Sequence, residues 1–167
     1  MLLAGRPLLA WAIDALRGAG LERVAVTAKQ GAPLPDLGIE VWREPPEPRH
    51  PLAGVRAALE RAGAEILTLP VDLPLVPPSA VRALLDAALH GAVAVVACPG
   101  GRVQPLVGRF TPAAYDHLPL TGRATDAVLA LDPVLVDLPE DGFLNVNAPA
   151  DLVAAEALVL RRAAGGR

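Results

Sequence analysis

A chain of 167 residues with a formal net charge of −3 has the size of one domain, and its arginines are spread along the chain, so nothing marks it as a nucleic-acid binder. Hydrophobic residues make up 53% of it, yet Gly, Pro or a charge breaks every stretch before the roughly 18 to 20 apolar residues a membrane-spanning helix needs. Cys98 is the single cysteine, which excludes an intrachain disulfide and a cysteine-rich zinc cluster, and no secretory signal pattern opens the chain; the compartment expected is the cytoplasm. The aromatic residues are Trp11, Trp42, Phe110, Tyr115 and Phe143, so the core has to be built from Leu, Val and Ala.

In chain order, Pro7–Arg17 reads as a helix, with Pro suited to a first turn and Leu8, Leu9, Ala12, Ile13 and Leu16 on one face. Arg23–Ala28 and Gly38–Trp42 read as short strands. The Pro-rich stretch Glu44–Pro51 reads as the longest loop, and Leu52–Ala62 as a helix. Glu65–Val71 is a mostly apolar strand ending at Asp72, followed by a helix over Ser79–His90. Ala92–Ala97 is apolar at every position, as in a strand buried on both faces. Val103–Phe110 reads as a strand, Ala124–Leu131 as a helix, Val134–Leu138 as a strand, and Asp151–Arg162 as a terminal helix entered through Pro149. Strands alternating with helices predict one α/β domain over residues 1–167, a three-layer α/β/α sandwich around a mostly parallel, Rossmann-like sheet. In such sheets ligands bind at the carboxyl ends of the strands.

Asp72 stands at such an end, before the proline-stiffened turn Leu73–Pro78. A carboxylate there suits a hard cation such as Mg²⁺, and it reads equally as an ordinary turn residue. Asn145 and Asn147 fall on one side of an extended segment ahead of the last helix; they are placed to orient a nucleotide or to cap that helix. Pro51-Leu52-Ala53-Gly54 brings small residues to a helix N-terminus, where free N–H groups favour an anion, though small residues there also simply permit close packing. Arg102 and Gln104 could face a ligand or merely enter a hairpin. There is no Gly-x-Ser-x-Gly elbow (Ser79 is the only serine), and no Gly-x-x-x-x-Gly-Lys-Ser/Thr loop. His50, His90 and His117 lack metal-ligand spacing and read as surface residues, and Arg161–Arg162 as a solvated helix end.

Taken in order, Gly5-Arg6-Pro7-Leu8-Leu9, Val24–Ala28, Pro51-Leu52-Ala53-Gly54, Leu69-Pro70-Val71-Asp72-Leu73-Pro74, Gln104-Pro105-Leu106 and Asn145-Val146-Asn147-Ala148-Pro149 resemble the molybdenum cofactor guanylyltransferases, within the nucleotide-diphospho-sugar transferase fold. The resemblance implies transfer of GMP from GTP to the molybdopterin-bound cofactor, with Asp72 holding Mg²⁺. It implies that Glu44, Leu52, Ala53, Gly54, Gln104, Arg123, Asn145 and Asn147 contact nucleotide or substrate, and that partners include molybdoenzymes or cofactor-biosynthesis proteins. The family's first strand and its Gly-Gly-x-x-x-Arg-Met-Gly-x-x-Lys loop have no counterpart in these residues. The sequence either starts at an internal position of its reading frame or has lost the loop, and impaired turnover is the expectation in both cases. Lys29 reads as a poor replacement for the missing loop, and His50 stands where the family carries Gly. Two alternatives are a related nucleotidyltransferase with another acceptor, cytidylyl or sugar-phosphate, and a non-catalytic nucleotide- or pterin-binding protein.

Overall fold

In the computed structural model, which describes residues 1–165, the chain opens with a small antiparallel hairpin of β1 (Leu2–Leu3) and β2 (Arg6–Pro7). Ala4 and Gly5 form its turn with φ of 48° and 76°. Two successive positive φ angles are what a two-residue turn between twisted strands requires, and the glycine makes the second cheap. The helix α1 (Leu8–Gly18) follows directly. Then come β3 (Ala25–Lys29), β4 (Glu40–Glu44) and α2 (Leu52–Ala62). The second half holds β5 (Ile66–Thr68), α3 (Pro78–Asp86), β6 (Ala94–Ala97), β7 (Gly108–Phe110), α4 (Ala124–Leu129), β8 (Val134–Val136) and α5 (Pro149–Gly165).

The strands form two separate main ladders. β3 and β4 pair in parallel. β5, β7, β6 and β8 form a four-stranded sheet in that order, with β6 parallel to β8 and β7 antiparallel to both its neighbours. The α/β architecture is as expected, but the single sheet expected is divided into two ladders, and β7 is reversed within the larger one. α2 bridges the two ladders. It follows β4, precedes β5 and packs against β3, β4 and β5.

Alternate residues of β6 define the layers. Val95 and Ala97 pack with Ala15 of α1 and Val81 and Leu84 of α3. Ala94 and Val96 pack on the opposite face with Leu52 and Leu59 of α2, Val128 of α4 and Phe110. A strand covered on both faces reads as an unbroken apolar run because period-two alternation sends every second side chain to a different helix layer. The N-terminal hairpin and α5 close one end, where Leu3, Leu8, Leu75, Val146 and Ala155 share a third cluster.

Several elements are shorter than the sequence predicts. The helix expected over Ser79–His90 ends at Asp86, because the Arg109 guanidinium donates to the carbonyls of Leu85 and Ala87, each at 2.6 Å, in place of a further turn. The strand expected over Val103–Phe110 begins only at Gly108. Before it, the Gln104 N–H donates to Ala97 O and the Val107 N–H to Gln104 O, which makes a turn around Pro105. Arg162, expected as a solvated helix end, donates instead to Leu75 O at 2.8 Å and Asp141 O at 3.0 Å and so straps α5 to the fold. No helix among the described residues is long and apolar enough to cross a membrane.

Candidate functional site

Asp72 lies four residues beyond the carboxyl end of β5 and is half-buried. Its main-chain carbonyl accepts the Val146 N–H at 2.8 Å. That one bond joins the β5 turn to the segment that carries both asparagines. Val146 is buried while Asn145 and Asn147 are exposed on either side of it, as the alternation predicts. The segment is locked from the far side by Asp151, whose Oδ2 accepts the N–H groups of Asn147 (2.9 Å) and Ala148 (2.8 Å). The carboxylate thus settles the entry to α5, a task the sequence left between ligand contact and a cap from Asn147. Asp72 and Asn147 share the lining of a cavity of about 1010 Å³ that extends between β3 and β5.

Across that cavity stand Thr27 and Lys29, on the same side of β3. Lys29 Nζ donates to Glu44 Oε2 at 2.9 Å and to Pro48 O at 3.0 Å. Glu44 is 9% exposed and is the one buried charged residue found among the described residues. Its other oxygen faces Gly54 in the first turn of α2. A Cβ built on Gly54 would come within 3.6 Å of Glu44 Oε1 and 3.3 Å of Thr27 Oγ1. Glu44 and Gly54 are contact residues that the resemblance implies, and Lys29 is the salt-bridge partner of the buried Glu44 carboxylate. Replacing Lys29 by methionine is expected to cost about 2 kcal/mol of stability, the value of a charge-assisted bond whose acceptor is left buried. Adding Glu44→Gln should recover most of it, and denaturant melts of the two single variants and the double one read this directly.

The remaining predicted residues fall into two groups. Leu52 is fully buried in the core and Ala53 is nearly so, so neither side chain can reach a ligand. Their N–H groups are already engaged, by His50 Nδ1 at 3.2 Å and His50 O at 3.0 Å. His50 Nε2 faces Gly122 O at 3.2 Å. With Nδ1 accepting, the ring hydrogen belongs on Nε2. His50, expected as a surface residue, therefore caps α2 and ties it to the loop ahead of α4. Arg123 follows that contact as the exposed residue before α4. Gln104 sits in the turn after β6, and Thr68 Oγ1 donates to Leu106 O at 2.8 Å, which holds that turn to the carboxyl end of β5. Neither Gln104 nor Arg123 lines the cavity shared by Asp72 and Asn147.

No group of three or more His, Cys, Asp or Glu side chains that could hold a metal is found among the described residues. The donor set fits a hard cation that arrives with substrate phosphates and takes one carboxylate from the protein, and it does not fit a fully protein-coordinated metal.

Known proteins resemble the chain over most of its length. A MobA-like NTP transferase domain model matches residues 1–135. A molybdenum cofactor guanylyltransferase from Cereibacter sphaeroides is 38% identical, the match covering 96% of this chain and 87% of the relative. One from Acidiphilium cryptum is 33% identical over 94% of this chain and 84% of its own length. The crystal structure of 2-C-methyl-D-erythritol 4-phosphate cytidylyltransferase from Thermus thermophilus superposes with a TM-score of 0.68 at 27% identity, covering 95% of this chain and 91% of that one. With a sheet of this topology and a match that spans nearly all of its length, the chain belongs to the MobA-like NTP transferase family.

Proposed function

We propose that this chain binds GTP and transfers its guanylyl group to a molybdopterin-type cofactor, releasing pyrophosphate. The observation that carries the reading is the 38% identity to a molybdenum cofactor guanylyltransferase over 96% of the chain. In this reading an acceptor phosphate oxygen forms a bond to the α-phosphorus of GTP while the bond to the β-phosphate oxygen breaks. Asp72 would hold a divalent cation, Mg²⁺ being the expected one, and the cation would supply charge neutralisation at the phosphates. Asn145 and Asn147 orient the nucleotide or the pterin phosphate from the opposite side of the β5 turn. Glu44, Gly54, Gln104 and Arg123 contribute contacts around the carboxyl ends of the strands. Leu52 and Ala53 act by placing Gly54. The protein's part is thus positioning and electrostatics, which is where most of the catalysis of phosphoryl-type transfer lies. Nucleotide binding is the most direct readout of this reading.

A second reading, a related nucleotidyltransferase with another base or acceptor, has support in the 27% identity to the cytidylyltransferase. Calorimetry with Mg²⁺ and either GTP or CTP separates the two. The guanylyl reading expects GTP to bind about tenfold more tightly, a difference of about 1.4 kcal/mol. Equal affinity, or preference for CTP, removes the guanine assignment.

A further inference from the structure

Residues 118–122 belong to no helix or strand, and two side chains from the start of α2 hold them by their carbonyls. Arg56 donates to Leu118 O at 3.2 Å, with its guanidinium 4.3 Å from the centre of the Tyr115 ring. His50 Nε2 donates to Gly122 O at 3.2 Å. Gly122 stands at φ 78° with nothing within 4 Å of where a Cβ would be, so side-chain packing does not hold this peptide in place. The bond from His50 does. It secures the carbonyl directly before Arg123, the exposed residue at the entry to α4.

No hydrogen bond or ion pair of the Arg123 guanidinium is found among the described residues, so its charge is available to an anion. A long side chain on a wandering backbone binds weakly, because ordering both is charged against the contact. Fixing the peptide ahead of it removes part of that cost. We infer that His50 is a positioning residue: through Gly122 O it sets the place of Arg123, and Arg123 takes a phosphate group of the nucleotide. The inference rests on the proposed guanylyl transfer, in which Gly54 and Arg123 contact substrate from the two elements that His50 joins.

The ring also accepts the Leu52 N–H at Nδ1, and the two tasks can be separated. In His50→Asn the shorter side chain can still accept from the N–H two residues on, as in an Asx turn, but cannot reach Gly122 O. His50→Ala loses both bonds. The melting temperature should fall in His50→Ala and stay close to the parent's in His50→Asn. By calorimetry with Mg²⁺, GTP affinity should fall about fivefold in both variants. Guanosine, which has no phosphate, should bind the parent and both variants alike. Arg123→Ala should lose about tenfold for GTP, and adding His50→Asn to it should lose nothing more, because the strap acts only through Arg123. Amide exchange at residues 123–127 should speed up in His50→Asn, with residues 52–55 unchanged. Undiminished GTP affinity in His50→Asn, equal losses for guanosine and GTP, or losses that add in the double variant would overturn the role of His50 and leave the guanylyl reading intact. A parent chain that binds no GTP would sink both.

Discussion

The Asp72→Ala variant is expected to lose GTP turnover by roughly 100- to 1,000-fold, the range seen when one preorganised electrostatic group is taken from a transferring centre. The structure makes this test cleaner than most carboxylate deletions. The bond that holds the asparagine segment to the β5 turn uses the main-chain oxygen of Asp72, not its side chain. It survives the substitution, as do the bonds from Asp151 to Asn147 and Ala148. The position is half-buried and no hydrogen bond or ion pair of the Asp72 carboxylate is found among the described residues, so truncation should leave the melting temperature nearly unchanged. Asp72→Asn keeps the shape and removes the charge. If the carboxylate holds the cation, this variant should be nearly as impaired, and Mg²⁺ should no longer strengthen GTP binding in calorimetry. Normal turnover by either variant, or an undiminished Mg²⁺ effect, would remove Asp72 from the chemistry.

What the sequence made legible, and what it hid, divides along a physical line. Hydrophobic period and helix punctuation located every main helix and strand. α2 was bounded at Leu52 and Ala62 because Pro51 precedes it and Gly63, at φ 57°, ends it. The boundaries that shifted are those set by distant partners. α3 ends early because of Arg109, and β7 starts late because of bonds from the Gln104 turn to β6 and β5. The site shows the same division. Asp72 and the asparagine pair were readable as strand-end and alternating residues, yet the bond that joins them spans 74 positions in the chain (146 − 72) and has no local signature. The partners of Lys29 and His50 are hidden for the same reason. Lys29 reads as a poor replacement for a phosphate-gripping lysine, and its partner Glu44 lies 15 residues away. His50 lacks metal-ligand spacing, and its ring caps the helix beside it.

The largest single loss of stability is expected from Phe110→Ala. The ring is fully buried, in contact with the cluster that holds Leu52 and Leu59 of α2, Ala114 and Val128. It also stands in register with Ile66 of β5 on one side and Ala94 of β6 on the other. A Cβ added at Gly108 would lie 3.3 Å from the ring and 2.6 Å from Val95 O, so the neighbouring strand position is already as small as it can be and cannot swell to fill a void. Truncation should therefore leave a true cavity and cost about 3–5 kcal/mol, the cost of a large aromatic removed from a core that cannot collapse. For a chain of this size that corresponds to a fall in Tm of about 10 °C. Phe110→Leu, which retains most of the apolar volume, should cost about 1–1.5 kcal/mol. The effect should also reach the site. β7 is the one strand that joins β5 to the rest of its sheet, so amide exchange at Ile66–Thr68 should accelerate in the alanine variant more than exchange in β8. Asp72, carried on the end of β5, should then hold its place less firmly, and GTP binding should weaken even below the melting transition. A variant that lost stability evenly across the sheet would show instead that β5 is held by its helices and not by β7.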